Sequence, residues 1–143
     1  SDPRWVRLVE SEAPYDAVVS GYAIHPLAHE RKRDLYAEIF ALLRPGAMFV
    51  NVEHVSSASD WLVHQFDEML IDSFHAHQRA IGSNMTREAV AAEYVHRPDK
   101  HANILAPLDQ QCDWLREIGF QDVDCYFKVL ELAVFGGRKP DST

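Results

Sequence analysis

Tyr15-Asp-Ala-Val-Val-Ser-Gly-Tyr-Ala-Ile-His-Pro-Leu27 leads, through Glu30–Leu43, into Arg44-Pro45-Gly46 and Met48-Phe-Val-Asn-Val-Glu53. Tyr15–Ser20 contains an apolar run, Ala17–Val19, set between Asp16 and Gly21, the pattern of a short parallel strand covered on both faces. From Glu30 to Leu43 the apolar residues Leu35, Ile39, Leu42 and Leu43 repeat at helical spacing, with Glu30, Arg31, Lys32, Arg33 and Glu38 on the wet side. Proline and glycine in Arg44-Pro45-Gly46 predict a turn that stops the helix. Met48–Glu53 predicts a second central strand. Strand, helix and strand in this order imply parallel pairing and an α/β fold.

On the N-terminal side, Trp5-Val-Arg-Leu-Val9 alternates loosely and is rich in β formers, so it predicts a short strand, with Glu10–Pro14 as a polar turn. On the C-terminal side the pattern turns helical. Leu62, Phe66, Met69, Leu70 and Phe74 share one face of a helix over residues 59–80. Thr86 is a suitable N-cap for a helix to Val95, which Pro98 ends. Residues 59–101 therefore predict a helical cap within a single domain spanning 1–143. A further helix runs from Pro107 to a terminating Gly119. Val123–Val129 alternates with period two and Glu131–Gly136 follows closely, so the chain is predicted to close with an antiparallel pair.

The 143 residues are 47% hydrophobic and 25% charged, enough for one globular domain with a real core. The formal net charge of −8 argues against a general polyanion binder, so nucleic acid is not expected. No apolar run is long enough to span a bilayer, and Ser-Asp-Pro-Arg-Trp lacks the basic start of a signal peptide, so no membrane partner and a cytoplasmic location are expected. Cys112 and Cys125 form no metal pattern and read as reduced, packed thiols. The eight histidines include no helical pair backed by a third ligand, so no metal site is expected.

Four segments, in order, resemble the second half of a class I, Rossmann-like S-adenosylmethionine-dependent methyltransferase. Tyr15–Leu27 resembles the family's fourth strand and following turn, aromatic-Asp-x-Val-x6-His-x-Leu. Leu42-Leu-Arg-Pro-Gly-Ala-Met-Phe-Val50 resembles its LxPGGxF entry to the fifth strand. Trp114-Leu-Arg-Glu-Ile-Gly-Phe120 resembles the LxxAGF helix end before the sixth, and Leu132-Ala-Val-Phe-Gly-Gly-Arg-Lys139 the last, antiparallel strand. The helical segment before Trp114 is more loosely similar to carboxy-S-adenosylmethionine synthase and its relatives. The resemblance implies a partial Rossmann-like sheet, the family's third to seventh strands, with helices on both faces and a helical insertion. Pro26 and Ala47 replace a histidine and a glycine that the family often has.

The resemblance also implies a cofactor, S-adenosylmethionine, and a small-molecule acceptor. Methyl transfer needs alignment, exclusion of water and, for a protonated nucleophile, a general base. The implied cofactor-side residues are Glu12 and Ala13, after the expected third strand, and Ser20, Gly21 and Tyr22, at the ligand-binding end of the fourth. Glu12 reads equally as a solvated loop residue. His25, Glu53 and His54 are the candidates for proton transfer, and His25 reads equally as a structural hydrogen-bonder. Trp61, His64 and Arg97 are candidates for the substrate side. Spacing favours core packing for Trp61, His64 and Phe66, and Arg97 is near the position where the carboxy-cofactor enzyme has a carboxylate-gripping arginine.

The family's glycine-rich first-strand loop has no counterpart here, so about two strand–helix units, roughly 60 residues, are expected in a longer chain. The fourth strand would otherwise be left with an open edge over Ala17–Ala23. A homodimer or strand exchange through residues 1–25 is the expected remedy. Two functions are consistent with the sequence: methyl transfer as part of a longer protein, or a shortened, non-catalytic dimeric binding module. A chance match by an unrelated α/β protein is the remaining reading.

Overall fold

A computed structural model describes residues 4–142, except for the side chain of His101. The chain divides into two compact units, one holding the residues up to Ser56 and from Ile104 onward, the other Ser57–Asn103.

The first unit is a four-stranded sheet with helices. β1 (Tyr15–Gly21) and β2 (Leu43–His54) are parallel, joined through α2 (His29–Leu42). After α5 (Leu108–Ile118), β3 (Gln121–Val129) and β4 (Leu132–Arg138) form an antiparallel hairpin. β4 inserts beside β2, giving the order β1-β2-β4-β3. Gly136 makes that insertion possible: a β-carbon there would lie 2.0 Å from the Phe49 carbonyl oxygen. Gly119, at φ +118°, closes α5 in the left-handed conformation that a C′ glycine favours.

Alternation along β2 sorts the sheet into two faces. Phe49, Asn51 and Glu53 are buried, as are Ala133 and Phe135 on β4. They face α2 and α5, where Tyr36, Ile39 and Leu115 complete the core. Tyr36 and Phe120 both lie against the Phe49 ring, with centroids 5.6 and 6.2 Å away. Each such fully buried apolar side chain contributes about 1.5–3 kcal/mol. Val19, Met48, Phe127 and Val129 are exposed, and the strand register sets Val19 beside Val50, and Phe127 and Val129 opposite Val134 and Leu132.

The α/β class and the partial Rossmann-like sheet stand, with three differences of detail. Trp5–Val9 is a helix, α1, not a strand. Its indole packs on the core and donates to Glu38 Oε2 at 2.6 Å, while Leu8 is exposed; a five-residue apolar run fits either period and the helical contact wins. The described sheet therefore holds four strands, with β1 at its edge. Second, Arg44–Ala47 does not separate helix from strand but bulges within β2: Leu43 pairs with Tyr15 and Met48 with Ala17. Gly46 takes φ +80° there, and Ala47 is buried. Third, Lys32, expected on the wet side of α2, is fully buried.

The second unit comprises α3 (Asp60–Ala80) and α4 (Arg87–His96), followed by a short 3-10 turn from Pro98. Ser59 caps α3 by accepting from the Leu62 amide, and Thr86 caps α4 by accepting from the Ala89 amide. Ile71, Val90 and Tyr94 form its core, with Leu70 and Met85 alongside. Among the described residues no helix is long and apolar enough to cross a membrane.

Candidate functional site

The parallel strands β1 and β2 end side by side, and the residues just past their carboxyl ends form a polar cluster. Glu53 is its centre. Its carboxylate is fully buried and accepts three hydrogen bonds: from the Ile24 amide at 3.0 Å, the His54 amide at 2.9 Å and His25 Nδ1 at 2.8 Å. A buried carboxylate is tolerated only with such a set of donors. Because the carboxylate can only accept, His25 carries its proton on Nδ1 in this arrangement, leaving Nε2 as its basic nitrogen. The His25 side chain keeps 17% of its surface exposed.

A second imidazole–carboxylate pair stands beside the first. His54 Nε2 meets Glu131 Oε2 at 2.6 Å, and the His25 and His54 ring centroids are 5.9 Å apart. Glu131 lies in the β3–β4 turn, whose backbone is tied to β2 by the bond from the Val55 amide to the Glu131 carbonyl. Beneath Glu53, Asn51 Nδ2 donates to the Tyr36 hydroxyl at 3.4 Å, and that hydroxyl donates to Gln111 Oε1 at 2.6 Å. Burial, with the Glu53 charge adding to it, pushes the Tyr36 hydroxyl far above the ordinary phenol range, so it stays protonated. Lys32 behaves in the opposite sense: burial lowers its ammonium to about 8, against the smaller raising effect of Glu53.

On the β1 side of the rim the backbone is open. A β-carbon built on Gly21 meets nothing within 4 Å. Tyr22 follows at φ +52°, 51% exposed, its amide donating to the Val52 carbonyl at 2.8 Å. A tyrosine in the left-handed region costs on the order of 1–3 kcal/mol, a strain that gathers at ligand clamps.

The sheet with its antiparallel insertion resembles the fold of solved structures at low sequence identity. No protein-family model matches the sequence, and no curated protein does. Among solved structures, an O-methyltransferase family protein from Burkholderia thailandensis superposes with a TM-score of 0.58 at 13% identity, over 96% of this chain and 34% of that one. The apo form of the S-adenosylmethionine-dependent methyltransferase SibL gives 0.56 at 16% identity, over 90% and 32%. An N-methyltransferase from Haemonchus contortus, in complex with phosphomonomethylethanolamine and S-adenosylhomocysteine, gives 0.51 at 14% identity, over 91% and 35%. The chain has part of the methyltransferase fold. It spans about a third of the length of these structures.

Within this fold the sequence-derived residues divide. His25, Glu53 and His54 come together in one hydrogen-bonded cluster, with Ser20, Gly21 and Tyr22 on the neighbouring strand end. Glu12 and Ala13 do not join them. They precede β1 and so lie at its amino end, seven strand residues, or about 23 Å, from the Gly21 end. Ala13 and Pro14 directly precede Tyr15, so β1 itself fixes this placement. Trp61, His64 and Arg97 belong to the second unit. Trp61 and His64 are exposed on α3, and Arg97 stacks over the Tyr94 ring at 4.1 Å with Asp99 at 3.5 Å.

Sequence reading missed Glu131, Lys32 and the Asn51–Tyr36–Gln111 chain. One signal was present: Asn51 and Glu53 interrupt an otherwise apolar strand segment, where an unpaired polar side chain would be costly. Among the described residues no group of three or more histidines, cysteines or carboxylates is placed to hold a metal.

Proposed function

We propose that this chain supplies the acceptor side of an S-adenosylmethionine-dependent methyltransferase that acts on a small molecule as part of a longer protein. The His25–Glu53 pair carries the reading. A buried carboxylate that fixes the tautomer of a partly exposed imidazole is the arrangement of a general base. The residues also fit a cofactor on one side: Ser20, Gly21 and Tyr22 line open space at the carboxyl edge of parallel strands, where α/β sheets bind ligands. S-adenosylmethionine would supply an electrophilic methyl group there. Gly21 leaves the backbone approachable, and Tyr22 covers the adjoining rim. His25 Nε2 accepts the proton that an acceptor hydroxyl or amine must lose, and Glu53 stabilises the resulting imidazolium. Burial of Glu53 and Ile24 keeps water from the back of the pair. His54, on Glu131, adds a second imidazole within the same cluster.

A second reading rests on β1. Its outer edge is unpaired in the described sheet and Val19 is 70% exposed, which suits a strand-to-strand homodimer without catalysis. Calorimetric titration of the chain with S-adenosylmethionine and S-adenosylhomocysteine separates the two. Saturable heats, with nuclear magnetic resonance shifts at Ser20–Tyr22 and His25, support the first. No binding to a folded dimer removes cofactor chemistry from this chain and leaves the second.

A further inference from the structure

We propose that Lys32 is a positioning residue for His25: its head group, enclosed beneath the rim, fastens the Ile24–Leu27 turn to the Ile104 segment and so holds the imidazole on Glu53. Lys32 is fully buried, and it is the only lysine among the buried residues of the described chain. A buried apolar residue at this place on α2 would avoid the cost of dehydrating an ammonium, so the head group needs specific partners to offset it. It has three, all of them backbone carbonyls: Nζ donates to His25 at 2.9 Å, to Ile104 at 2.6 Å and to Leu27. An ammonium has three N–H donors and all three are used.

These carbonyls lie where His25 needs support. The turn closes on itself only through the Leu27 amide and the Ile24 carbonyl, at 3.1 Å. It meets the returning chain through the Ile104 amide, which donates to the His25 carbonyl at 3.2 Å. That carbonyl therefore accepts from both Ile104 and Lys32, while the ring of the same residue donates to Glu53. His25 is thus clamped at its backbone, by Lys32 and Ile104, and at its side chain, by Glu53. Pro26, next in sequence, has no amide proton to add a further tie. The charged group that acts on the head group is Glu53 from β2, and the side chains of Glu53 and His25 are not among the hydrogen-bond partners of Nζ.

The clamp stands on geometry alone; its consequence for proton transfer rests on the reading of His25 as base. Nuclear magnetic resonance of the intact chain tests it. In the parent protein, the Lys32 ammonium is expected as a slowly exchanging signal with couplings across hydrogen bonds to the carbonyl carbons of His25, Leu27 and Ile104. In Lys32→Met, the His25 ring nitrogens are expected to lose the signature of one fixed tautomer. The amides of Leu27 and Ile104 should exchange about tenfold faster or more, while those of Phe49 and Phe135 keep their protection. Absence of the couplings in the parent overturns the proposal whether or not the variant folds. So does a variant whose His25 signature is unchanged, or one that loosens the whole sheet equally. Failure of the methyl-transfer reading would show separately, as absent cofactor binding with every one of these signals intact.

Discussion

The two faces of the sheet differ in what the chain does with polar groups. On the face under α2 and α5, Phe49 and Phe135 are buried beside Asn51 and Glu53, and each of these polar side chains is built into a network. On the other face Val19, Met48 and Phe127 stand exposed with no polar system among them. The covered face serves the rim. Its hydrophobic packing lowers the local dielectric around Glu53, and the hydrogen bonds made there fix His25 and His54 where the parallel strands end. The open face leaves apolar side chains exposed, Val19 and Phe127 the most.

Truncations should separate the faces most sharply. Phe49→Ala is expected to destabilise the protein by about 3–5 kcal/mol, and Val19→Ala by less than about 0.5 kcal/mol, in urea denaturation. Similar costs at the two positions would mean that the open face is covered in solution. Next in size, Glu53→Gln keeps the shape but presents an amide to three donors, and should cost about 1–3 kcal/mol while freeing the His25 ring. An unchanged midpoint would break the claim that the network is built around this carboxylate.

The third prediction uses pH. Lys32 falls to about 8 in the folded protein from 10.5 in the unfolded chain, so between these values the unfolded state binds more protons. Its contribution to stability therefore rises as pH increases through that window. Cys112, raised by burial from 9.0 to about 11, acts in the opposite sense, because the folded state then retains a proton that the unfolded state loses. Comparing the parent with Lys32→Met cancels the cysteine. The stability difference should grow from pH 8 towards 10.5, and a flat difference would show that the ammonium is not dehydrated. Smallest is the effect of Val19→Lys, which should weaken self-association in sedimentation by adding charge to the edge strand while leaving the unfolding midpoint within about 0.5 kcal/mol.

The sequence revealed the β1–α2–β2 core because local periodicity and the order of motifs agree there, although Pro45 and Gly46, expected to form the turn after α2, lie in a bulge within β2. It misassigned Trp5–Val9 because the run is too short to separate the two periods; only the tertiary contact of Trp5 with Glu38 decides it. At the site, Glu53 and His54 were legible as polar residues at a strand end. Glu131 was not, because its partner His54 is 77 positions away. Lys32 was assigned to solvent because a charged residue on an amphipathic helix ordinarily belongs there, and three backbone carbonyls are invisible to side-chain patterning.

The measurement that bears most directly on the account is the titration of the 143-residue chain with S-adenosylhomocysteine, followed by calorimetry and by the amide and imidazole signals of Ser20–His25, Glu53 and His54. Saturable binding with shifts confined to those residues is the predicted result. A folded chain that takes up no heat and shows no shift at the rim would contradict it.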